Sequence, residues 1–181
     1  MLILASQSPR RKELLELAGL TFTCLPSRGE EIVPEGMPAA EEPEYLAGKK
    51  AEEIFASHPE DVVIGSDTLV LLDGKPLGKP HSEEEAFAML RALSGREHEV
   101  CTGVAILSPK GRDSFTSVTK VEFYPLSDEE IWEYIRTGEP MDKAGAYGIQ
   151  GKGSLLIRRI DGDYYTVVGL PLAEVVRRLP K

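Results

Sequence analysis

The feature that most constrains the fold is the alternation of short apolar runs with well-capped helical segments. Residues 2–5 form an apolar run that is too short for a helix and typical of a buried strand. Ser8 is a natural N-cap, and Pro9 suits the first helical position, so we predict a helix that begins here and ends at Gly19. A second strand-like run over residues 21–25 completes a β-α-β opening.

The rest of the chain continues this alternation and adds hairpins. We expect helices over residues 44–57, 82–93, 127–135 and 170–179, and strands over residues 62–64, 69–72, 100–107, 114–124, 155–160 and 164–168. Turn residues occur at positions 73–74, 109–111 and 161–163, the last two between paired strands. Crossovers and hairpins together predict a mixed sheet. We therefore predict one α/β domain over residues 1–181, with a mixed sheet flanked by helices and a cleft between two lobes.

Composition and charge argue against several classes of protein. With 41% hydrophobic residues the chain can bury a sizeable core, and its net charge of −9 disfavours a nucleic-acid partner. No apolar run reaches the roughly 20 residues that span a bilayer, and the start lacks the basic region of a signal peptide, so we expect no membrane partner. The absence of Asn and the presence of only two Gln suggest a thermophilic source, with codon bias or chance as the alternative.

The cysteines and histidines show no pattern of a metal site. Cys24 and Cys101 are far apart in sequence and lack the spacing of zinc ligands, which fits a reducing, cytoplasmic location. The histidines also lack a spacing typical of a catalytic or metal-binding set. We expect all three at the surface: His58, His81 and His98.

The first candidate site is the segment 6–12, between a predicted strand and a predicted helix. It carries hydroxyls at Ser6 and Ser8 and cations at Arg10 and Arg11, with a further cation at position 12. A helix N-terminus attracts anions, whereas cations there oppose the helix dipole. The segment is therefore a candidate phosphate site, and the alternative is a set of solvated surface charges.

The second candidate is the sequence Gly-Ser-Asp-Thr at residues 65–68, between two apolar runs. An ionised Asp67 is costly to bury unless it is paired or binds a cation. It is a candidate general base or metal ligand at a strand end, with Thr68 beside it. The alternative is a structural Asp that caps a bend in the strand.

Several weaker signals complete the set. Doubled charges occur at Glu30–Glu31 and Lys49–Lys50, where solvated surface charge is the ordinary interpretation. Lys79 is more restricted, because Gly and Pro flank it and fix its backbone. A glycine-rich segment over residues 142–151 contains Gln150, one of the two glutamines of the chain.

These motifs, taken in order, resemble those of the Maf family over nearly the whole chain. The matching segments are LASQSPRR at 4–11, GSDT at 65–68, GKP at 78–80, LSG at 93–95, KAGAYGIQG at 143–151 and VVGLPL at 167–172. The resemblance implies a nucleoside triphosphate pyrophosphatase with an inosine-triphosphatase-like fold, a divalent metal (Mg²⁺ or Mn²⁺) and a homodimer. It is closer to the subgroup that acts on dTTP and UTP than to the subgroup that acts on 7-methyl-GTP.

The resemblance also implies residue roles. Asp67 is the proton acceptor, with Lys50 and Lys79 as further catalytic residues and Glu31 and Asp67 as metal ligands. The substrate-binding set is Ser6, Ser8, Arg10, Arg11, Thr68 and Gln150, of which Arg10, Thr68 and Gln150 bear on the choice of base. The family often has Asp-Glu where this chain has Glu-Glu, so the family position maps to Glu31.

The expected reaction is attack of water on the α-phosphorus, which gives the monophosphate and pyrophosphate and removes non-standard nucleotides, including modified pyrimidine triphosphates. The family is also associated with arrest of septum formation. An alternative is therefore a nucleotide-binding regulator that acts through a cell-division protein partner. For Gln150, the alternative to contact with the base is a hydrogen bond within its own loop.

Overall fold

The computed structural model describes all 181 residues as seven strands and six α-helices. The strands are β1 (Leu2–Leu4), β2 (Thr23–Cys24), β3 (Val62–Leu72), β4 (Lys75–Leu77), β5 (Glu97–Ser108), β6 (Gly111–Phe123) and β7 (Ile157–Asp161). The helices are α1 (Pro9–Leu17), α2 (Glu42–Phe55), α3 (Glu83–Leu93), α4 (Asp128–Arg136), α5 (Tyr164–Val168) and α6 (Leu172–Arg178). Short 3₁₀ turns lie at Ala39–Glu41, Glu139–Asp142, Ala144–Ala146 and Gly151–Leu156.

The strands form one mixed sheet. Their order is β2-β1-β3-β5-β6-β7, and β4 pairs with β3 outside this path. Strand β1 is parallel to both β2 and β3, with Ile3 opposite Thr23 and Val63, whereas β4 and β7 are antiparallel to their neighbours. This arrangement confirms the predicted mixed α/β sheet and its β-α-β opening.

The chain divides into two compact units. Unit 1 comprises Met1–Thr68, Thr102–Ser117 and Gly169–Lys181, and unit 2 comprises Leu69–Cys101 and Val118–Val168. Strands β3, β5 and β6 contribute residues to both units. The single domain and the cleft expected from the sequence stay predictions.

Unit 1 is organised around helix α2 and the sheet. Its apolar cluster joins residues of α2 with residues of β1, β3 and β5: Ile3, Ala5, Ala47, Ala51, Ile54, Val63, Ala105 and Leu107. The alanines of α2 occur at helical spacing, so one face of the helix carries small side chains and approaches the strands closely. Gly65 marks the closest approach, because a Cβ added there would lie 2.1 Å from the carbonyl oxygen of Ala47.

Unit 2 has its own apolar core. Helices α3 and α4 pack with the first half of β5 and the second half of β6, and the largest buried side chains include Leu90, Leu93, Phe123, Ile131 and Ile135. Ser82 and Ser127 cap the two helices through hydrogen bonds to the backbone amides of Glu85 and Glu130, as the sequence predicts.

The structure corrects three sequence-based expectations. Residues 164–168 form helix α5 instead of the second strand of a hairpin, and residues 62–72 form one continuous strand instead of two. His98 is only 2% exposed, so its predicted surface position is wrong. Its ring packs edge-on against the rings of Phe123 and Tyr147, which also contact each other, and apolar packing in unit 2 outweighs the cost of burying a neutral imidazole.

No helix is long and apolar enough to cross a membrane.

Candidate active site

A chain of three charged side chains forms the centre of the candidate site in unit 1. Lys50 Nζ lies 2.7 Å from Asp67 Oδ1 and 2.8 Å from Glu31 Oε1. The Lys50 and Asp67 side chains are each 16% exposed, whereas Glu31 is 59% exposed. Because the Lys50–Asp67 pair is largely shielded from water, each charge stabilises the other more than a surface pair would.

The local fold explains why Lys50 reaches Asp67. Lys50 follows Ala47 by one turn of α2 and precedes Ile54 by another, so it lies on the face that packs against the sheet. Gly65 lets that face approach β3, two residues before Asp67. Asp67 lies inside β3 and not at a strand end or bend, so both placements expected from the sequence are wrong.

Arg11 forms the second part of the site. Its guanidinium donates hydrogen bonds from Nε to the Gly169 carbonyl oxygen (2.8 Å), from Nη1 to Ser6 Oγ (3.4 Å) and from Nη2 to Thr68 Oγ1 (3.1 Å). Ser8 caps helix α1 by accepting a hydrogen bond from the backbone N–H of Arg11 (3.4 Å). The segment 6–11 and Thr68 are therefore brought together as predicted.

The cations at the start of α1 have different surroundings. Burial lowers the pKa of the Arg11 guanidinium, and the nearby charge of Arg10 lowers that pKa further, while Asp67 and Glu31 oppose both effects. Lys12 instead faces solvent and pairs with Glu16 at 3.7 Å. Of the two interpretations of this segment, solvated surface charge describes Lys12, whereas Arg11 is a fixed, half-buried cation near two carboxylates.

Two buried hydroxyl residues support Arg11 and Thr68, and neither was assigned a role from the sequence. Thr102 is fully buried and shares a hydrogen bond with Thr68 (Oγ1 to Oγ1, 2.9 Å). Ser66 is also fully buried and donates from Oγ to the Gly169 carbonyl oxygen (3.2 Å), the same oxygen that Arg11 contacts. Buried hydroxyl groups require hydrogen-bond partners, so a buried Ser or Thr next to a candidate site indicates a supporting contact. The sequence alone does not show that these two residues are buried.

The remaining predicted residues lie in unit 2. Lys79 is exposed and follows β4, and Gln150 is exposed and immediately precedes the Gly151–Leu156 turn. The Gln150 side chain does not cap that turn, and the choice between contact with the base and a hydrogen bond within its own loop stays open. Their roles toward a substrate stay predictions.

The carboxylates of Asp67 and Glu31 are the candidate ligands for a divalent metal ion. Asp67 Oδ1 and Glu31 Oε1 contact the same nitrogen at 2.7 and 2.8 Å, so these two oxygens are no more than 5.5 Å apart. Carboxylate oxygens are the ligands that Mg²⁺ and Mn²⁺ prefer. Nowhere do three or more His, Cys, Asp or Glu side chains form a group that would hold an ion. Two carboxylates are fewer than the six ligands of such an ion, so a Mg²⁺ or Mn²⁺ ion bound here would need phosphate and water as its other ligands, and the metal site stays a prediction.

Comparison with known proteins assigns the family. The family model described as "Maf-like protein" matches residues 1–181. The chain is 55% identical to the dTTP/UTP pyrophosphatase of Geobacillus sp. (strain WCH70) over 180 residues, which are 99% of this chain and 97% of the relative. It is 53% identical to the dTTP/UTP pyrophosphatase of Carboxydothermus hydrogenoformans over 178 residues, covering 97% and 95% of the two chains. The chain therefore belongs to the Maf family.

Similarity to solved structures is lower. The Ham1 protein of Staphylococcus aureus matches 67% of this chain and 71% of its own, with a TM-score of 0.48 and 17% sequence identity.

Proposed function

We propose that this chain hydrolyses dTTP and UTP to the corresponding monophosphate and pyrophosphate. Membership of the Maf family and near-full-length relatives named dTTP/UTP pyrophosphatase support this reaction. The observation that carries the proposal is the Asp67–Lys50–Glu31 arrangement beside Arg11, because it combines a shielded carboxylate with two fixed cations. Phosphoryl chemistry depends mainly on such positioning and charge stabilisation.

Asp67 is the proposed proton acceptor. Its Oδ1 is bound to Lys50, which leaves Oδ2 available to accept a proton from water. The oxygen of that water forms a bond to the α-phosphorus, and the bond from the α-phosphorus to the oxygen bridging to the β-phosphorus breaks. Pyrophosphate leaves with the electron pair of that bond, and the proton of the water passes to Asp67.

The cations have a separate proposed role. Lys50 holds the Asp67 carboxylate in place by direct pairing, and Arg11 offers guanidinium N–H groups beyond the three that its protein contacts use. These groups and Lys79 would stabilise charge on the phosphoryl oxygens. Glu31 and Asp67 would hold a Mg²⁺ or Mn²⁺ ion, which supplies neutralisation of phosphate charge when bound.

Gln150 is the proposed determinant of the base. Uracil and thymine present an N3–H donor beside an O4 acceptor, and a glutamine amide can bind both groups at once. Glutamate in its place would set a carboxylate against O4, and such a mismatch costs about 1–3 kcal/mol. That is about ten- to a hundredfold in selectivity. If the Gln150 amide is rotated by half a turn, it can also form two hydrogen bonds with cytosine. Thr68 and Arg10 are therefore proposed to contribute to the selection of uracil and thymine.

The reaction is tested by Asp67→Asn, which keeps the shape of the side chain but removes the charge and the base. We expect the rate of pyrophosphate release to fall by about 10²–10⁴-fold, the usual contribution of a general base. Asp73→Asn is the control, because Asp73 pairs with Arg96 in unit 2 and is assigned no role. Chromatography should show the monophosphate as the nucleotide product, and release of diphosphate with single phosphate would refute the assigned bond cleavage.

Base choice is tested by comparing kcat/KM across common and modified triphosphates in the parent and in Gln150→Glu. We expect kcat/KM to be highest for dTTP and UTP in the parent, and we expect these two values to decrease most in the variant. A parent that prefers 7-methyl-GTP or ITP would contradict the proposed substrates, and unchanged selectivity in the variant would contradict the role of Gln150.

Regulation of septum formation by nucleotide binding alone is the less favoured function, because the relatives are named as enzymes. A cytoplasmic location and a homodimer remain part of the proposal. Light scattering at micromolar concentration would test the dimer, and a monomer there would remove it.

A further inference from the structure

The loop that carries Gln150 is fixed from both sides by side chains that have no assigned role. We define it as the 148–153 loop. At its start, the backbone N–H of Gly148 donates to Tyr134 Oη at 3.1 Å. At its end, the backbone N–H of Gly153 donates to Glu139 Oε1 at 3.0 Å. The exposed residue Gln150 therefore lies between two anchored points of the backbone.

Glu139 makes two further contacts that complete the arrangement. Its Oε2 accepts a hydrogen bond from the backbone N–H of Lys152 (3.2 Å), and its Oε1 accepts one from Tyr134 Oη (2.9 Å). One carboxylate thus accepts three hydrogen bonds, two of them from the 148–153 loop. Hydrogen bonds to a charged acceptor are stronger than those between neutral groups, so Glu139 is an effective anchor.

Tyr134 connects this anchor to the core of unit 2. It belongs to α4, is only 4% exposed and is part of the apolar cluster of the unit. Burial and the adjacent carboxylate of Glu139 raise the pKa of the Tyr134 hydroxyl, so it remains a proton donor to Glu139 at physiological pH. The hydroxyl therefore donates to the carboxylate while it accepts from Gly148.

Close packing leaves the 148–153 loop little freedom. A Cβ added at Gly153 would lie 1.8 Å from the carbonyl oxygen of Gly148, so the two ends of the loop are in backbone contact. Gly151 has a φ of +65°, and a Cβ there would lie 2.8 Å from Glu139 Oε2. This position therefore requires glycine both for its backbone angle and for the approach of the carboxylate.

We propose that Glu139 and Tyr134 are positioning residues for base selectivity, which act by holding the 148–153 loop so that Gln150 presents its amide in one fixed place. This inference rests on the proposed function. The Gln150 side chain does not cap the turn that follows it, so its position depends on the backbone that carries it. A bidentate contact with the N3–H and O4 of uracil or thymine requires such a fixed position, since hydrogen bonds weaken steeply with misalignment.

The test is Glu139→Gln, with Tyr134→Phe as a second variant. Glutamine has one acceptor oxygen where glutamate has two, so at least one of the amides of Lys152 and Gly153 loses its acceptor. Tyr134→Phe keeps the ring in the core and removes only the hydroxyl. Glu133→Gln is the matched control, because Glu133 is an exposed neighbour of Tyr134 on α4.

Two measurements are made on each variant. Amide hydrogen exchange reports the loop itself, and we expect faster exchange at Gly153 and Lys152 in Glu139→Gln and at Gly148 in Tyr134→Phe. The ratio of kcat/KM for dTTP to that for CTP reports selectivity, and we expect it to fall about tenfold in Glu139→Gln, mainly through a higher KM for dTTP. Glu133→Gln should match the parent in both.

The outcomes separate this inference from the proposed function. If the parent does not prefer dTTP and UTP, or if Gln150→Glu leaves the preference intact, the proposed base choice fails and the inference fails with it. If Gln150→Glu loses the preference but Glu139→Gln and Tyr134→Phe keep it while their loop amides exchange faster, only the inference is overturned. Unchanged amide exchange in both variants would also overturn it.

Discussion

The buried His98 of unit 2 predicts a specific loss of stability in mild acid. Its Nε2 lies 2.5 Å from Tyr147 Oη, its Nδ1 has no hydrogen-bond partner, and its ring lies edge-on to Phe123 and Tyr147. Burial lowers the pKa of His98 from 6.5 to about 4. Burial also raises the pKa of the Tyr147 hydroxyl, so no nearby charge compensates a protonated imidazole.

The sign and size of the effect follow from this pKa. The folded state binds the proton of His98 less well than the unfolded chain does. The free energy of unfolding is therefore unaffected by His98 above about pH 6.5 and falls as the pH decreases toward 4. Each pKa unit is worth about 1.4 kcal/mol, so protonation of His98 removes about 3 kcal/mol in total and about 2 kcal/mol by pH 5. For a chain of this size the loss at pH 5 corresponds to about 4–8 °C in Tm.

The assay is urea unfolding at several pH values from 7.5 to 4.5, on the parent, on His98→Phe and on His81→Gln. Other groups contribute to the acid slope in all three proteins, so the difference between slopes isolates His98. We expect His98→Phe to be less stable at pH 7.5, because Tyr147 Oη loses its partner, but to lose less stability on acidification. His81 is exposed, so His81→Gln should follow the parent. If the free energy of unfolding decreased equally on acidification in the parent and in His98→Phe, the assignment of this loss to His98 would be refuted.

Two further predictions concern unit 1. Glu53→Gln should accelerate amide exchange at Gly29 and lower activity, because the Glu53 carboxylate holds the segment before Glu31 with two oxygens and an amide has only one acceptor. Glu52→Gln is its matched control, and equal exchange at Gly29 in the two variants would contradict it. Gly65→Ala should cost about 1–3 kcal/mol in urea unfolding, since the added methyl overlaps the backbone of α2. Gly78→Ala, where the space is open, should cost far less, and equal losses would refute the close-approach argument.

Local signals in the sequence predicted much of the architecture. Helix caps at Ser8, Ser82 and Ser127 lie where residue type and spacing place them, and the turn at positions 73–74 has positive φ at both residues. One element was assigned the wrong type. Residues 164–168 are rich in β-branched and aromatic side chains, yet they form helix α5, whose first turn is held by Asp163 Oδ2 accepting a hydrogen bond from the backbone N–H of Thr166 (2.8 Å).

Part of the site was detectable without any family resemblance. Asp67 was identified from the cost of burying a charge between two apolar runs, and the segment 6–12 was identified from helix-terminus chemistry. Lys50 could also have been identified from its position in the helix. Its helical spacing from Ala47, Ala51 and Ile54 places it on the buried face of α2. A lysine on an apolar helical face requires a buried partner, and Asp67 meets that requirement.

The partners of loop residues could not be predicted in this way, because they depend on tertiary contacts between backbone amides and distant carboxylates. Both units nevertheless use the same arrangement. In unit 1, Glu53 accepts hydrogen bonds from the backbone N–H groups of Arg28 and Gly29, shortly before Glu31. In unit 2, Glu139 accepts them shortly after Gln150. A carboxylate has two oxygens that can each accept from a separate backbone N–H, so one glutamate fixes several consecutive loop residues. Loops that carry Glu31 and Gln150 can therefore be irregular in sequence while the backbone near these residues is still anchored.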